Sequence, residues 1–190
     1  MLDLPYLQFS AFNLMVGGYV LAILVAPLSR IKTFSGNTPR YSFQLIRYFG
    51  FGTALLGSIF GCFLSLSVLS TGTVFHVDLQ PTLPFGPLSV NVDALAAFFL
   101  GVISLLGAVV CVYSIGYSGE YAGRKSLSLL VVLYNLFLLS MSLVVIAGNA
   151  VLFLIVWELM SLTTFFLINF EHEQRASRRA AILYIVMTHI

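Results

Sequence analysis

Two ionisable side chains, Glu158 and His189, fall inside apolar stretches of this sequence, and both are of types that exchange protons. Glu158 sits near the middle of VLFLIVWELMSLTTFFLINF, residues 151–170, and His189 lies in the apolar run that begins at Ala180. An ionisable group at the centre of a membrane helix costs about 2.5–3.5 kcal/mol, and such residues commonly mark an ion or proton path. A carboxyl group and an imidazole are a pair suited to proton exchange near neutral pH. The two residues therefore predict a proton-transfer site.

Each residue also has a structural explanation. A hydrogen-bonded Glu158 could lock one helix to another, and His189 could bond a backbone carbonyl. Two polar positions nearby favour burial of the acid among helices. Ser161 lies three residues on, and Asn169, eleven residues on, returns to within about 20° of Glu158 on a helix. We therefore expect a polar stripe that faces neighbouring helices.

The elements that must position these groups are membrane helices. The chain has 190 residues, of which 59% are hydrophobic and 8% charged, and its mean hydropathy is +1.02. That is more apolar surface than one soluble core could bury. A net charge of +2 is too small, and the basic residues are too scattered, to suggest nucleic acid as a partner. The composition therefore places the chain in a lipid bilayer.

Five runs are long enough to cross a hydrocarbon layer, which takes about 20 helical residues. A sixth run begins at Ala180 and continues to Ile190. We expect an all-α, polytopic transmembrane helix bundle of five spans plus the start of a sixth, forming one membrane domain over 1–190 that is truncated at the C-terminus. The predicted spans are 6–28, 45–70, 92–115, 127–147 and 150–170.

The basic residues predict the orientation of the bundle. All nine follow the first, third or fifth span, and the N-terminus, the 71–91 loop and the Gly148-Asn149 turn have none. By the positive-inside rule, the N-terminus is outside. Glu158 then lies about 18 Å and His189 about 14 Å from the cytoplasmic ends of their runs, at 1.5 Å per residue, so both sit near the midplane.

The connections on the outer side differ in length. Gly148-Asn149 is so short that the fourth and fifth helices must be antiparallel neighbours. In the 71–91 loop, apolar and polar residues alternate around a Pro/Gly centre, which predicts a short β-hairpin, with a plain ordered loop as the alternative. Asp93 opens the third helix, where an acid caps the helix and favours its dipole.

Metal and cofactor chemistry is not expected in this chain. Cys62 and Cys111 each lie alone within an apolar span and form no CxxC pair. Glu171-His172-Glu173 lacks the i, i+4 histidine spacing of a helical zinc site and is expected to be a solvated turn.

Several motifs resemble the antiporter-like membrane subunits shared by respiratory complex I, Mrp antiporters and energy-converting hydrogenases. The resemblance covers about residues 80–190, and its hydrogenase-4 and formate hydrogenlyase branch is the most similar. The motifs are FGPLSVNVDALAAFFL (85–100), CVYSIGYSGEY (111–121), WELMSL (157–162), FEHE (170–173), AAILY (180–184) and THI (188–190), which include Asp93 and Trp157.

The resemblance implies proton translocation coupled to electron transfer in other membrane and hydrophilic subunits, in the inner (plasma) membrane. In this family a glutamate on the fifth helix pairs with a lysine on the seventh, and Glu158 takes the glutamate's position. Many members have a lysine on the sixth helix where this chain has Leu183, and His189 is a candidate substitute. A sodium/proton antiporter subunit of the Mrp type and a non-transporting membrane scaffold are the alternatives.

Overall fold

The computed structural model describes residues 4–28, 39–83, 86–121, 126–171 and 173–190. Six helices and one antiparallel strand pair account for most of them. Short 3-10 turns follow the third helix at Ser118–Tyr121 and the fifth at Asn169–Glu171. The elements are α1 (Leu4–Leu28), α2 (Pro39–Thr71), β1 (Phe75–Leu83), β2 (Gly86–Val92), α3 (Ala94–Tyr117), α4 (Leu127–Val145), α5 (Ala150–Ile168) and α6 (Arg175–His189).

Helices α1 to α5 are long and apolar enough to cross a membrane, which confirms the five predicted spans. Their ends differ from the predicted ends by a few residues. Helix α6 begins at Arg175, five residues before the apolar run that starts at Ala180. The amide of Arg178 donates to the carbonyl of Gln174 at 3.2 Å, so charged residues form the first turn of the helix. Apolar composition marks where a helix enters lipid, whereas backbone hydrogen bonding marks where it starts.

Side-chain caps start α3 and α4. The Asp93 carboxylate accepts from the amide of Ala96 at 2.8 Å, so Asp93 caps α3 as its position predicts. Ser126 accepts from the amide of Leu129 at 3.3 Å at the start of α4. These caps satisfy backbone donors that have no partner inside the helix.

The predicted β-hairpin in the 71–91 loop is confirmed. Strands β1 and β2 pair antiparallel from Phe75 opposite Val92 to Leu83 opposite Gly86, with an irregularity between Leu79 and Thr82. Phe75, Val90 and Val92 are buried against the helices. The hairpin is therefore part of the packed structure and covers one end of the bundle.

Glycines bring α1 and α2 into close backbone contact. A Cβ added at Gly18 would lie 3.1 Å from the backbone of Gly57, and one added at Gly57 would lie 3.0 Å from the carbonyl oxygen of Met15. Small residues at such crossings let membrane helices pack by van der Waals contact. Met15 and Tyr19 of α1 are fully buried at this interface.

Contacts at the two ends of the bundle fix which helix ends lie together. At one end, Ser128 in the first turn of α4 donates to the carbonyl of Ala26 near the end of α1, at 2.6 Å. At the other, Gln8 near the start of α1 donates to Thr73, just after α2, at 3.3 Å. The basic residues whose side chains are described lie toward the first of these ends, which the positive-inside rule predicts to be the cytoplasmic end. They are Arg47, Arg175, Arg178 and Arg179.

Candidate functional site

The turn before α5 sets where the functional helix begins. The amide of Gly148 donates to the carbonyl of Ser89 in β2 at 2.7 Å, and the amide of Asn91 donates to the carbonyl of Ile146 at 2.8 Å. The Asn149 side chain then caps α5 by accepting from the amide of Leu152 at 2.8 Å. The helix that carries Glu158 therefore starts from a point fixed by the hairpin.

Glu158 and His189 meet between α5 and α6. The Nε2 atom of His189 lies 3.0 Å from the Oε2 atom of Glu158, although 31 positions separate the two residues in sequence. The His189 side chain is 39% exposed and the Glu158 side chain is 55% exposed, and both lie at the outer surface of the described helices. The structure thus brings together the two residues that the sequence predicts for proton transfer, while their role in transfer stays a prediction.

The other ring nitrogen of His189 faces its own helix. Its Nδ1 atom lies 2.9 Å from the carbonyl oxygen of Ile185 and 3.1 Å from the hydroxyl oxygen of Thr188. Thr188 in turn donates to the carbonyls of Tyr184 and Ile185, each at 3.1 Å. The ring is therefore anchored at Nδ1 and presents Nε2 to Glu158.

Ser161 and Asn169 do not form one surface with the Glu158 carboxyl group. Ser161 is 2% exposed and faces the bundle interior, where its hydroxyl donates to the backbone carbonyl of Glu158 at 3.1 Å. Asn169 lies beyond α5, which ends at Ile168, and begins the following 3-10 turn. The predicted angle of about 20° requires one continuous α-helix over 158–169, so it does not apply to Asn169.

Trp157 lies on the outer face of α5. Its ring centroid is 5.6 Å from that of Phe153, one turn earlier, with the two planes tilted by 31°. The side chain is 41% exposed. It therefore stacks along its own helix beside the Glu158 position.

Among the described residues there is no cluster of three histidine, cysteine, aspartate or glutamate side chains that could hold a metal ion. The centre of the Glu171-His172-Glu173 motif, His172, lies outside the described residues. Glu171 accepts a hydrogen bond from Gln174 at 2.8 Å, as in the charged turn that the sequence predicts.

A second polar cluster lies inside α1 to α4, and the sequence analysis missed it. The phenol of Tyr19 shares a hydrogen bond with the hydroxyl of Ser58 at 3.1 Å, and both residues are fully buried. The phenol of Tyr134 donates to the carbonyl of Gly107 at 3.2 Å. Small residues line the contact between α2 and α3 here, where a Cβ added at Gly107 would lie 3.0 Å from the Ser58 hydroxyl oxygen. Serine on α2 and glycine on α3 are therefore the sequence signal that could have indicated the cluster.

Comparison with known proteins finds relatives among the subunits of a hydrogenase and of NADH-quinone oxidoreductase. No family model matches the chain. It is 32% identical over 137 residues to hydrogenase-4 component B of Escherichia coli, a match that covers 72% of this chain and 20% of that protein. It is 28% identical over 164 residues to NADH-quinone oxidoreductase subunit L of Mycobacterium tuberculosis, with 77% and 25% covered. The chain thus spans about a fifth to a quarter of the length of these relatives.

A solved structure shares the fold. One chain of the membrane-bound sulfane sulfur reductase, an archaeal respiratory membrane complex, matches with a TM-score of 0.72 and 18% identity. The match covers 94% of this chain and 34% of that one. The arrangement of helices described above therefore recurs within a larger respiratory membrane protein.

Proposed function

We propose that this chain, a homologue of the antiporter-like membrane subunits of hydrogenase-4 and NADH-quinone oxidoreductase, moves protons across the membrane as part of an energy-converting oxidoreductase complex. Its five apolar helices and its relatives make it a multi-pass protein of the inner (plasma) membrane. In the proposal, other subunits carry the electrons, and this chain supplies proton-binding side chains without a cofactor.

The contact between Glu158 and His189 carries the proposal. A carboxyl group and an imidazole 3.0 Å apart can pass a proton directly, since this is the distance of a hydrogen bond between them. Glu158 also lies in the interior of α5, ten residues before its end at Ile168. It is the one acid among the described residues of that helix, where lipid would penalise a charge that had no function.

A cationic partner near Glu158 would drive the uptake and release of its proton. A nearby positive charge favours the ionised carboxylate, and its withdrawal favours the protonated acid. The resemblance to the family implies a lysine on a seventh helix as that partner. The exposed side of Glu158 supports this, because a carboxyl group that is 55% exposed on α5 leaves room for a further helix to reach it.

Replacement of Glu158 tests the proposal. In the intact protein within its native complex, Glu158→Gln keeps the shape of the side chain and removes its ionisation, and we expect about a tenfold or greater loss of proton pumping in inverted membrane vesicles. Glu173→Gln, at an exposed acid in the turn before α6, is the matched control and should pump at the parental rate. Parental pumping by Glu158→Gln would reject a role in proton transfer and favour a non-transporting scaffold.

The same vesicles test whether transport depends on sodium or on protons alone. Pumping that is independent of sodium supports the proton-translocating subunit of a redox complex. Transport that requires sodium and is lost in Glu158→Gln would instead support the sodium/proton antiporter of the Mrp type.

A further inference from the structure

A hydroxyl group from each of the first four helices lies in the interior of the bundle. The hydroxyls belong to Tyr19 of α1, Ser58 of α2, Ser104 of α3 and Ser142 of α4, and all four residues are fully buried. We propose that they form a binding site for water, which connects Ser104 and Ser142 to the Tyr19–Ser58 pair. The inference is independent of the proposed function, because it concerns α1 to α4 and not the side chains of α5 and α6.

Two of these hydroxyls are buried without a hydrogen-bond partner among the described residues. They are the Oγ atoms of Ser104 and Ser142. Tyr19 and Ser58 share one bond at 3.1 Å, which uses one of their two hydroxyl hydrogens. A buried hydroxyl without a partner is unfavourable, because it has lost its bonds to solvent and gained none in return. A ligand that both donates and accepts hydrogen bonds would satisfy these groups, and water is the smallest such ligand.

The packing of α2 on α3 holds Ser58 and Ser104 at a spacing that water can bridge. Ser58 lies against Gly107, since a Cβ added there would lie 3.0 Å from the Ser58 hydroxyl oxygen. Ser104 lies against Gly61 in the same way. The two serines are therefore one helical turn apart along the interface, or roughly 5–6 Å. Two hydrogen bonds of about 2.8 Å, made by one water oxygen, span that separation.

Ser142 approaches the same group of hydroxyls from α4. Its hydroxyl lies beside the Tyr19 phenol without the geometry of a hydrogen bond. Water completes a polar contact of this kind at little cost in free energy, because it accepts from one hydroxyl and donates to the other. Bound water would therefore join the hydroxyls of all four helices in one hydrogen-bonded network.

The surroundings favour a neutral ligand and separate it from solvent. The described residues of α1 to α4 include no acid, so these helices offer no carboxylate to hold a cation. Two buried side chains form apolar walls. The Met15 sulfur lies 3.1 Å from a Cβ added at Gly61, and the Leu138 side chain lies 3.2 Å from one added at Gly107. This burial is complete within α1 to α4, so it does not depend on what packs around them.

A structure of the intact protein in its complex, at a resolution that shows ordered water, tests the inference directly. We expect water density within hydrogen-bond distance, about 2.7–3.0 Å, of Ser104 Oγ and of Ser142 Oγ. A well-ordered interior without that density, in which both serines donate to carbonyls of their own helices, would overturn the inference. The parent protein is sufficient for this experiment, so its outcome does not depend on the folding of a variant.

Two serines on α4 give a matched test by stability. Ser142→Ala removes a hydroxyl that binds water, whereas Ser140→Ala removes an equally buried hydroxyl that donates to the carbonyl of Phe137 in its own helix at 2.9 Å. We expect Ser142→Ala to lower the midpoint of thermal unfolding of the intact protein more than Ser140→Ala does. A rise in the midpoint, or a fall no larger than that of Ser140→Ala, would contradict bound water, because removal of an unsatisfied hydroxyl costs nothing.

Discussion

The backbone amide of Gly148 donates to the carbonyl oxygen of Ser89 at 2.7 Å, and this bond holds the turn before α5 against the hairpin. A Cβ at Gly148 would lie 2.6 Å from the Ser89 hydroxyl oxygen and 2.9 Å from its carbonyl oxygen. The backbone here has no freedom to move aside without loss of the hydrogen bond. The hairpin and α5 are therefore positioned as a unit, and Glu158 with them.

Gly148→Ala should destabilise the protein. The added methyl group overlaps backbone atoms, so we expect the free energy of unfolding in detergent to fall by about 1–3 kcal/mol. Gly116→Ala is the control, because a Cβ there meets no atom within 4 Å. Alanine in the helix at position 116 should raise stability by about 0.5–1 kcal/mol. Equal effects of the two substitutions would contradict the close contact with Ser89.

The contact between α1 and α2 is testable with adjacent glycines. Gly18→Ala inserts a methyl group 2.9 Å from the carbonyl oxygen of Thr53, whereas a Cβ at Gly17 meets no atom within 4 Å. We expect Gly18→Ala to lower the free energy of unfolding by about 1–3 kcal/mol, as overpacking does. Gly17→Ala should be neutral or stabilising in the same titration. The opposite order would mean that α1 packs on α2 through another face.

The buried hydrogen bond between Tyr19 and Ser58 should show energetic coupling. Tyr19→Phe leaves the Ser58 hydroxyl without the phenol in an apolar interior, and we expect a loss of about 1–3 kcal/mol. Ser58→Ala should cost a similar amount for the same reason. Because the double variant removes both polar groups, its loss should be smaller than the sum of the two single losses. Additive losses would show that the two groups do not interact.

The cap of α5 should stabilise the helix that carries Glu158. Asn149→Ala removes the oxygen that accepts from the Leu152 amide, and we expect about 1 kcal/mol less stability. Asn149→Asp retains an accepting oxygen and is the matched control, with stability near that of the parent. Thermal unfolding in detergent compares the two. A large loss in both variants would assign the effect to the contact of the Asn149 amide with Ser89, at 3.4 Å, rather than to the cap.

The sequence by itself determined the number and approximate extent of the membrane helices. The thickness of the bilayer sets how many apolar residues a span needs, so five spans were predictable from the length and composition of the apolar runs. The hairpin and the Asp93 cap were predictable as well, because alternation, Pro/Gly turns and capping are local patterns. The chemical types of Glu158 and His189 also made them candidates before any contact was known.

Only the tertiary structure decided which side chains meet. Helices that are apolar around their whole circumference carry no periodic pattern that tells a buried face from a lipid face. The directions of Ser161 into the bundle and Glu158 toward α6 therefore depend on how α5 packs. The Tyr19–Ser58 bond likewise joins residues 39 positions apart on different helices. Such contacts depend on the rotation and offset of each helix, which the packing of all its neighbours sets together.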